Sequence, residues 1–221
     1  MKLLAIETCT EACSAAICAG DAILERYEFA PQRHAELILP MVEDLLAEAG
    51  FALGALDALA FGRGPGAFTG VRICTGVAQG LAFGADLPVI PISTLAALAQ
   101  GAAGDHARIA SAIDARMGEV YWGLFRVDAD GLVEPEGEEL VARPDAVSLP
   151  ANEDWYGAGS GWGTHAALLS ERMGERLIAC DGDRFPHARD VLRLAMRALR
   201  LGQVVPAEQA LPVYLRDRVT G

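Results

Sequence analysis

The stretch from Gly62 to Arg72, Gly-Arg-Gly-Pro-Gly-Ala-Phe-Thr-Gly-Val-Arg, carries the residue types that most invite a chemical reading. Gly62-x-Gly64-x-x-Ala67 matches the glycine fingerprint that lets a strand-to-helix turn approach a dinucleotide pyrophosphate. That chemistry also needs an acidic residue about 20 positions on, at the end of the next strand, to hold the ribose. Asp86 has the distance, but it precedes the strand expected over 88–92. A phosphate loop of the Walker type needs a lysine after the glycines, and none stands there. The turn therefore reads as structural. Its glycines permit conformations closed to other residues, and Pro65 stiffens it.

Other chemical constellations are incomplete in the same way. His34 would need a second histidine at 38 to grip a metal from one helix face, and position 38 is isoleucine. Glu7-Thr8-Cys9-Thr10-Glu11 is a polar cluster between two strands, a place from which an ATPase holds Mg²⁺ through water. The simpler expectation is a solvated hairpin turn. Asp114 and Glu119 flank a turn and read as a solvent-facing strand end rather than as paired catalytic carboxylates. Gly159-Ser-Gly161 lacks the spacing of a nucleophile elbow. The five cysteines, Cys9, Cys13, Cys18, Cys74 and Cys180, contain no CxxC pair and read as small apolar core residues, not metal ligands. No catalytic residue, cofactor site or metal site is expected.

The elements that carry these residues follow from periodicity. Strands are expected over 3–8, 12–19 and 23–29, then a helix over 34–49 stopped by Gly50, with Pro40 kinking it or marking its start. A strand over 56–61, a helix from Phe68 to Gly84, a strand over 88–92 and a helix capped by Ser93 complete the first half. Beyond 101–105 come strands at 108–115 and 120–127, strand pieces and loops to 150, a short strand at 155–159, and helices at 161–172 and 190–201. This order predicts an α/β protein of two lobes, 1–104 and 105–221, with the extended segment 211–216 free to dock on either. Arg189, Arg193, Arg197 and Arg200 form a stripe on the last helix, read as a solvated face, with contact to tRNA phosphate as the alternative.

Net charge sets the remaining bounds. A formal charge of −12 argues against a free-standing nucleic-acid binder. No apolar run is long enough to span a membrane, and no signal-peptide pattern opens the chain, so a cytoplasmic protein is expected. The helix from Phe68 onward is unusual. Arg72, Thr75 and Gln79 are its only strongly polar side chains, and Gly76, Gly80 and Gly84 recur every four residues. Each interior glycine costs a helix roughly 1 kcal/mol against alanine. Such a helix should let another backbone come close, inside its own domain or on another chain.

Five segments resemble one family, TsaB (YeaZ), from end to end of the chain. They are Ile6-Glu-Thr8, His34-Ala-Glu-Leu-Ile-Leu-Pro40, Gly64-Pro-Gly-Ala-Phe-Thr-Gly-Val-Arg-Ile73, Ile113-Asp-Ala-Arg-Met-Gly-Glu-Val-Tyr121 and Pro212-Val-Tyr-Leu-Arg216. The resemblance implies the ASKHA (actin/Hsp70-like) fold, two lobes with mixed sheets flanked by helices. It also implies a scaffold role in forming N6-threonylcarbamoyladenosine (t6A) at position 37 of tRNAs reading ANN codons. The catalytic partner would be TsaD, with TsaE in the same complex, tRNA contacted indirectly, and homodimers formed through the same surface. TsaD carries an H-x-x-x-H metal pair where this chain has His34 and Ile38. The expected interface lies on the two N-terminal helices: His34, Ile38, Met41 and Leu45 on the first, and Phe68, Arg72, Ile73, Gly76, Gln79, Gly80 and Phe83 on the second. The rival reading is a stand-alone ASKHA-type ATP-dependent enzyme or a metal-independent peptidase.

Overall fold

The computed structural model describes residues 1–20, 22–149 and 153–216. Its first sheet grows from β1 (Lys2–Glu7), whose unbroken apolar run suits a strand covered on both faces. β2 (Ala12–Ala19) and β3 (Ala22–Phe29) follow as an antiparallel meander. On the other edge β4 (Ala58–Gly62) and β5 (Val89–Ile92) add in parallel, giving the order β3-β2-β1-β4-β5. Alternation along β1 divides the packing. Leu4 and Ile6 face α1 (His34–Ala49) and α2 (Phe68–Ala85), while Leu3 and Ala5 face the opposite layer.

The second sheet repeats the plan with β6 (Arg108–Asp114), β7 (Val120–Val127), β8 (Val133–Pro135), β9 (Leu140–Ala142), β10 (Trp155–Ala158) and β11 (Leu177–Asp181). Its order is β11-β10-β6-β7-β8, with β9 on the far part of β7. α4 (Ser160–Met173) covers the outer face, its own Trp162 packed in one cluster with Trp122 and Trp155. Between the sheets lie α3 (Thr94–Ala102), against β6 and β7, and α5 (Ala188–Arg200), against β1, β2 and β4. One apolar core joins both sheets through these two helices. Although α5 belongs to the second half of the chain, it seals the first sheet.

The expected α/β architecture of two mixed sheets is present, with three local differences. α1 passes through Pro40 without a break, starting at His34 and ending at Gly50 (φ +73°). β11 was not expected, because its short apolar run lacks alternation. The arginine stripe is not a freely solvated face. Arg189 lies 3.5 Å from Glu25, Arg193 bonds Asp190 at 3.0 Å, and Arg197 pairs with Asp128. Burial raises the Asp190 carboxyl above its ordinary range, opposed by Arg193, Arg189 and His187. Among the described residues no helix is long and apolar enough to cross a membrane.

Candidate functional site: the glycine turn, the α2 face and the interlobe cleft

The three glycines of the turn do different work. Gly64 alone takes a left-handed backbone, φ +91°. Gly62 and Gly66 are small because of what lies beside them: a Cβ at Gly62 would overlap the Glu7 carboxylate, and one at Gly66 would overlap the Cys9 carbonyl. Gly70, in the first turn of α2, would meet the Thr8 carbonyl in the same way. The turn thus forms a socket for the tip of the β1–β2 hairpin. Ala67 N–H donates to the Cys9 carbonyl at 2.7 Å, and the Thr8 hydroxyl donates to the Gly70 carbonyl at 2.8 Å.

That socket overturns the expectation of a solvated hairpin tip. Glu7 and Thr8 are fully buried, and Thr10 is nearly so. The Glu7 carboxylate accepts from Cys9 N–H at 2.6 Å and from the Thr94 hydroxyl at 3.2 Å. Burial nonetheless raises its carboxyl above the usual range, and it raises the Cys9 thiol as well. Four cysteines are buried as expected, and Cys180 is exposed. The Cys13 thiol, desolvated beside Cys74, is pushed up to about 12.

On α2 the glycines face outward. A Cβ at Gly76, Gly80 or Gly84 would meet nothing within 4 Å. Close packing inside the lobe therefore holds at Gly70 but not along the Gly76, Gly80 and Gly84 face. Phe68, Arg72, Gly76, Gly80 and Phe83 form one exposed face, with Ile73 half-buried at its edge and Phe83 80% exposed. Arg72 lies over the Phe68 ring at 3.7 Å and donates to the Tyr214 hydroxyl at 3.2 Å. Gln79 is turned aside, donating to the Ala210 carbonyl at 2.8 Å.

The four residues expected to face a partner on α1 do not lie on the surface. Ile38, Met41 and Leu45 are core residues, packed with Ile6, Ile17 and Phe61. His34 is buried with Nε2 2.8 Å from the Thr10 carbonyl oxygen. The apolar periodicity of α1 marks the side that meets its own sheet. Its outer side carries Leu39, Pro40, Glu43, Asp44 and Ala47.

Between the lobes opens a cleft of about 690 Å³. The hairpin tip (Cys9, Thr10, Glu11) and the start of α2 (Ala67, Phe68, Arg72) form one wall; Asp114, Arg116, Tyr121, Tyr214 and Arg216 form the other. Asp114 and Glu119 are each drawn into an ion pair with an arginine. Arg116 bonds Asp114 at 2.8 Å and reaches across to Glu11 at 3.3 Å, while Arg216 pairs with Glu119. Arg116 (φ +62°) and Met117 (φ +56°) both hold left-handed backbones, a conformation costly for non-glycine residues. The segment 211–216 docks on both lobes, through Val213 N–H to the Arg63 carbonyl at 2.8 Å and through Arg216. Tyr121 and Tyr214 join the cleft; both lie in segments that carry the family resemblance, though nothing in their spacing marked them as neighbours.

A family model described as TsaD: tRNA N6-adenosine threonylcarbamoyltransferase matches residues 27–219. The tRNA threonylcarbamoyladenosine biosynthesis protein TsaB of Escherichia coli K12 is 44% identical over 99% of this chain and 96% of its own length. The chain belongs to the TsaB (YeaZ) family. The Haemophilus influenzae TsaB is 40% identical over the whole of this chain and 95% of its own. Among solved structures, YeaZ from Pseudomonas aeruginosa superposes with a TM-score of 0.90 at 52% identity, covering 97% of this chain and 99% of that one. With the two mixed sheets and their helices, the fold is the ASKHA fold. In this chain α2 presents an open glycine face, and residues 34 and 38 face into the lobe.

Proposed function

We propose that this chain is a non-catalytic subunit of the cytoplasmic machinery that makes t6A on tRNA, and that it binds and activates a TsaD subunit through the exposed face of α2. The observation that carries the reading is Gly76, Gly80 and Gly84, which keep one side of an 18-residue helix bare beside exposed Phe68 and Phe83. Three glycines on a solvated helix face weaken it by roughly 1 kcal/mol each, a cost that a closely approaching partner helix offsets. Single apolar residues on a surface are ordinary, but an aromatic at each end of a bare glycine groove suits helix-against-helix docking. The family relationship supports the same reading, since the TsaB relatives are named for t6A biosynthesis.

On this reading the interface comprises Phe68, Arg72, Ile73, Gly76, Gly80 and Phe83. His34, Ile38, Met41 and Leu45 support it from beneath, and Gln79 holds the 207–210 segment beside it. The same face would serve a homodimer in the absence of TsaD. TsaE would join the TsaD-bound assembly, and tRNA would be met through that assembly rather than by this acidic chain alone. Gly76→Leu tests the reading. It should leave a folded monomer and abolish TsaD binding in calorimetry or pull-down; full-strength association would refute it. ATP hydrolysis or peptide cleavage by the purified chain alone, at a useful rate, would favour the stand-alone enzyme instead.

A further inference from the structure

We propose that Glu7, Cys9 and Cys74 form a binding site for one thiophilic divalent cation, with zinc as the biological candidate, beneath the wall of the interlobe cleft. The three donor atoms lie within 4.8 Å of one another, and all three residues are fully buried. The centre of a triangle with sides of at most 4.8 Å is no more than about 2.8 Å from each corner. Zinc bonds to sulfur at about 2.3 Å and to carboxylate oxygen at about 2.0–2.2 Å, so a small inward rotation of the side chains closes the site.

Three features of the cluster suit a cation. Glu7 is fully buried and, among the described residues, forms no ion pair with Lys, Arg or His, so a bound cation would supply the countercharge that its ionised form lacks. Room for its carboxylate is made by Gly62 on the neighbouring strand. The carboxylate is also held in place by Cys9 N–H and the Thr94 hydroxyl, the kind of outer contact that orients a metal ligand. Two thiols with one carboxylate select zinc over magnesium or calcium, which prefer all-oxygen shells. A fourth position falls to water or to the Gly62 carbonyl oxygen, which lies 3.2 Å from Cys9 Sγ. Binding exchanges the two thiol protons, released to solvent, for the ion. Cys9 stands at the wall of the cleft with its side chain covered, which places the site just beneath that wall.

The site would tie the end of β1 to α2, and so set the position of the helix presented to a partner. It is separate from the helix position occupied by His34 and Ile38, and it stands or falls independently of the scaffold reading. The test uses the full chain freed of metal by chelation, titrated with Zn²⁺ against a chromophoric chelator and with Co²⁺ followed by absorption. One ion per chain is expected, with a thiolate-to-cobalt charge-transfer band and a zinc-dependent rise in melting temperature. Cys9→Ser and Cys74→Ser should each weaken binding at least tenfold and diminish the band, whereas Cys180→Ser, at the exposed thiol, should change neither. If the serine variants do not fold, the wild-type cobalt spectrum decides alone. Absence of stoichiometric binding or of the thiolate band in the wild type, or loss of binding on Cys180→Ser, would overturn the proposal.

Discussion

Alanine placed at two glycines of the same helix should have opposite effects on stability. At Gly76 the new methyl group meets nothing within 4 Å, so only helix propensity acts, and Gly76→Ala should stabilise the isolated chain by about 0.8–1 kcal/mol. For a chain of this size that is a rise of about 2–4 °C in melting temperature. At Gly70 the same propensity gain is at most about 1 kcal/mol. Against it, the methyl group would drive into the Thr8 carbonyl oxygen, a backbone atom of the buried hairpin tip that cannot rotate away. Overpacking of that kind costs about 1–3 kcal/mol, and retreat of the hairpin would break the buried bond from the Thr8 hydroxyl to the Gly70 carbonyl, worth about 1 kcal/mol. Gly70→Ala should therefore be destabilised by about 1–3 kcal/mol net. Urea unfolding, run at several protein concentrations so that self-association shows as a concentration-dependent midpoint, measures both variants. Stabilisation by Gly70→Ala would refute the socket, and destabilisation of the monomer by Gly76→Ala would refute the open face.

Asp190→Asn tests the buried carboxylate of α5. Its raised pKa means that protonation favours the folded state, so the associated stability is present below the unfolded value near 4 and is lost as pH rises through the folded value. The stability of the asparagine variant relative to wild type should grow across that window, by up to about 1.4 kcal/mol per pH unit in chemical denaturation; a pH-independent difference would contradict this. The facing groups are Arg193, Arg189, His187 and Glu25, so replacing Arg193 as well should enlarge the effect. His34→Ala should cost about 1–3 kcal/mol in denaturation experiments, because it strands the buried Thr10 carbonyl and opens a void; unchanged stability would show that the contact is unimportant. Phe83→Ala, at the most exposed aromatic of α2, should leave the melting temperature within about 1 °C while weakening TsaD binding at least tenfold, as read by calorimetry.

Much of the fold was legible because its punctuation is local. The α1 pattern ended at Gly50, Ser93 capped α3, and apolar runs joined by a polar turn marked the opening meander. Interface and core were harder to separate on α1. The periodicity of Ile38, Met41 and Leu45 reports that one side is buried, and only the tertiary structure shows that the cover is the chain's own sheet. The glycines posed the same problem. Gly62, Gly66 and Gly70 are small because a distant hairpin tip lies against them, whereas Gly76 and Gly80 adjoin nothing, and residue type alone does not distinguish the two cases. Glu7 looked like a turn residue because its polarity outweighed its place at the end of an apolar strand. The cleft was invisible because Glu11, Phe68, Arg116 and Arg216 come from four separated segments.

The central claim is that this chain contributes a surface rather than chemistry. The most direct measurement is t6A formation on tRNA with TsaD, TsaE and threonylcarbamoyl-adenylate, with wild-type chain, with Gly76→Leu, and without the chain. The account predicts robust product with the wild type and background product in the other two reactions, with no ATP hydrolysis or peptide cleavage by this chain alone. Full product formation with Gly76→Leu, or without the chain, would contradict it.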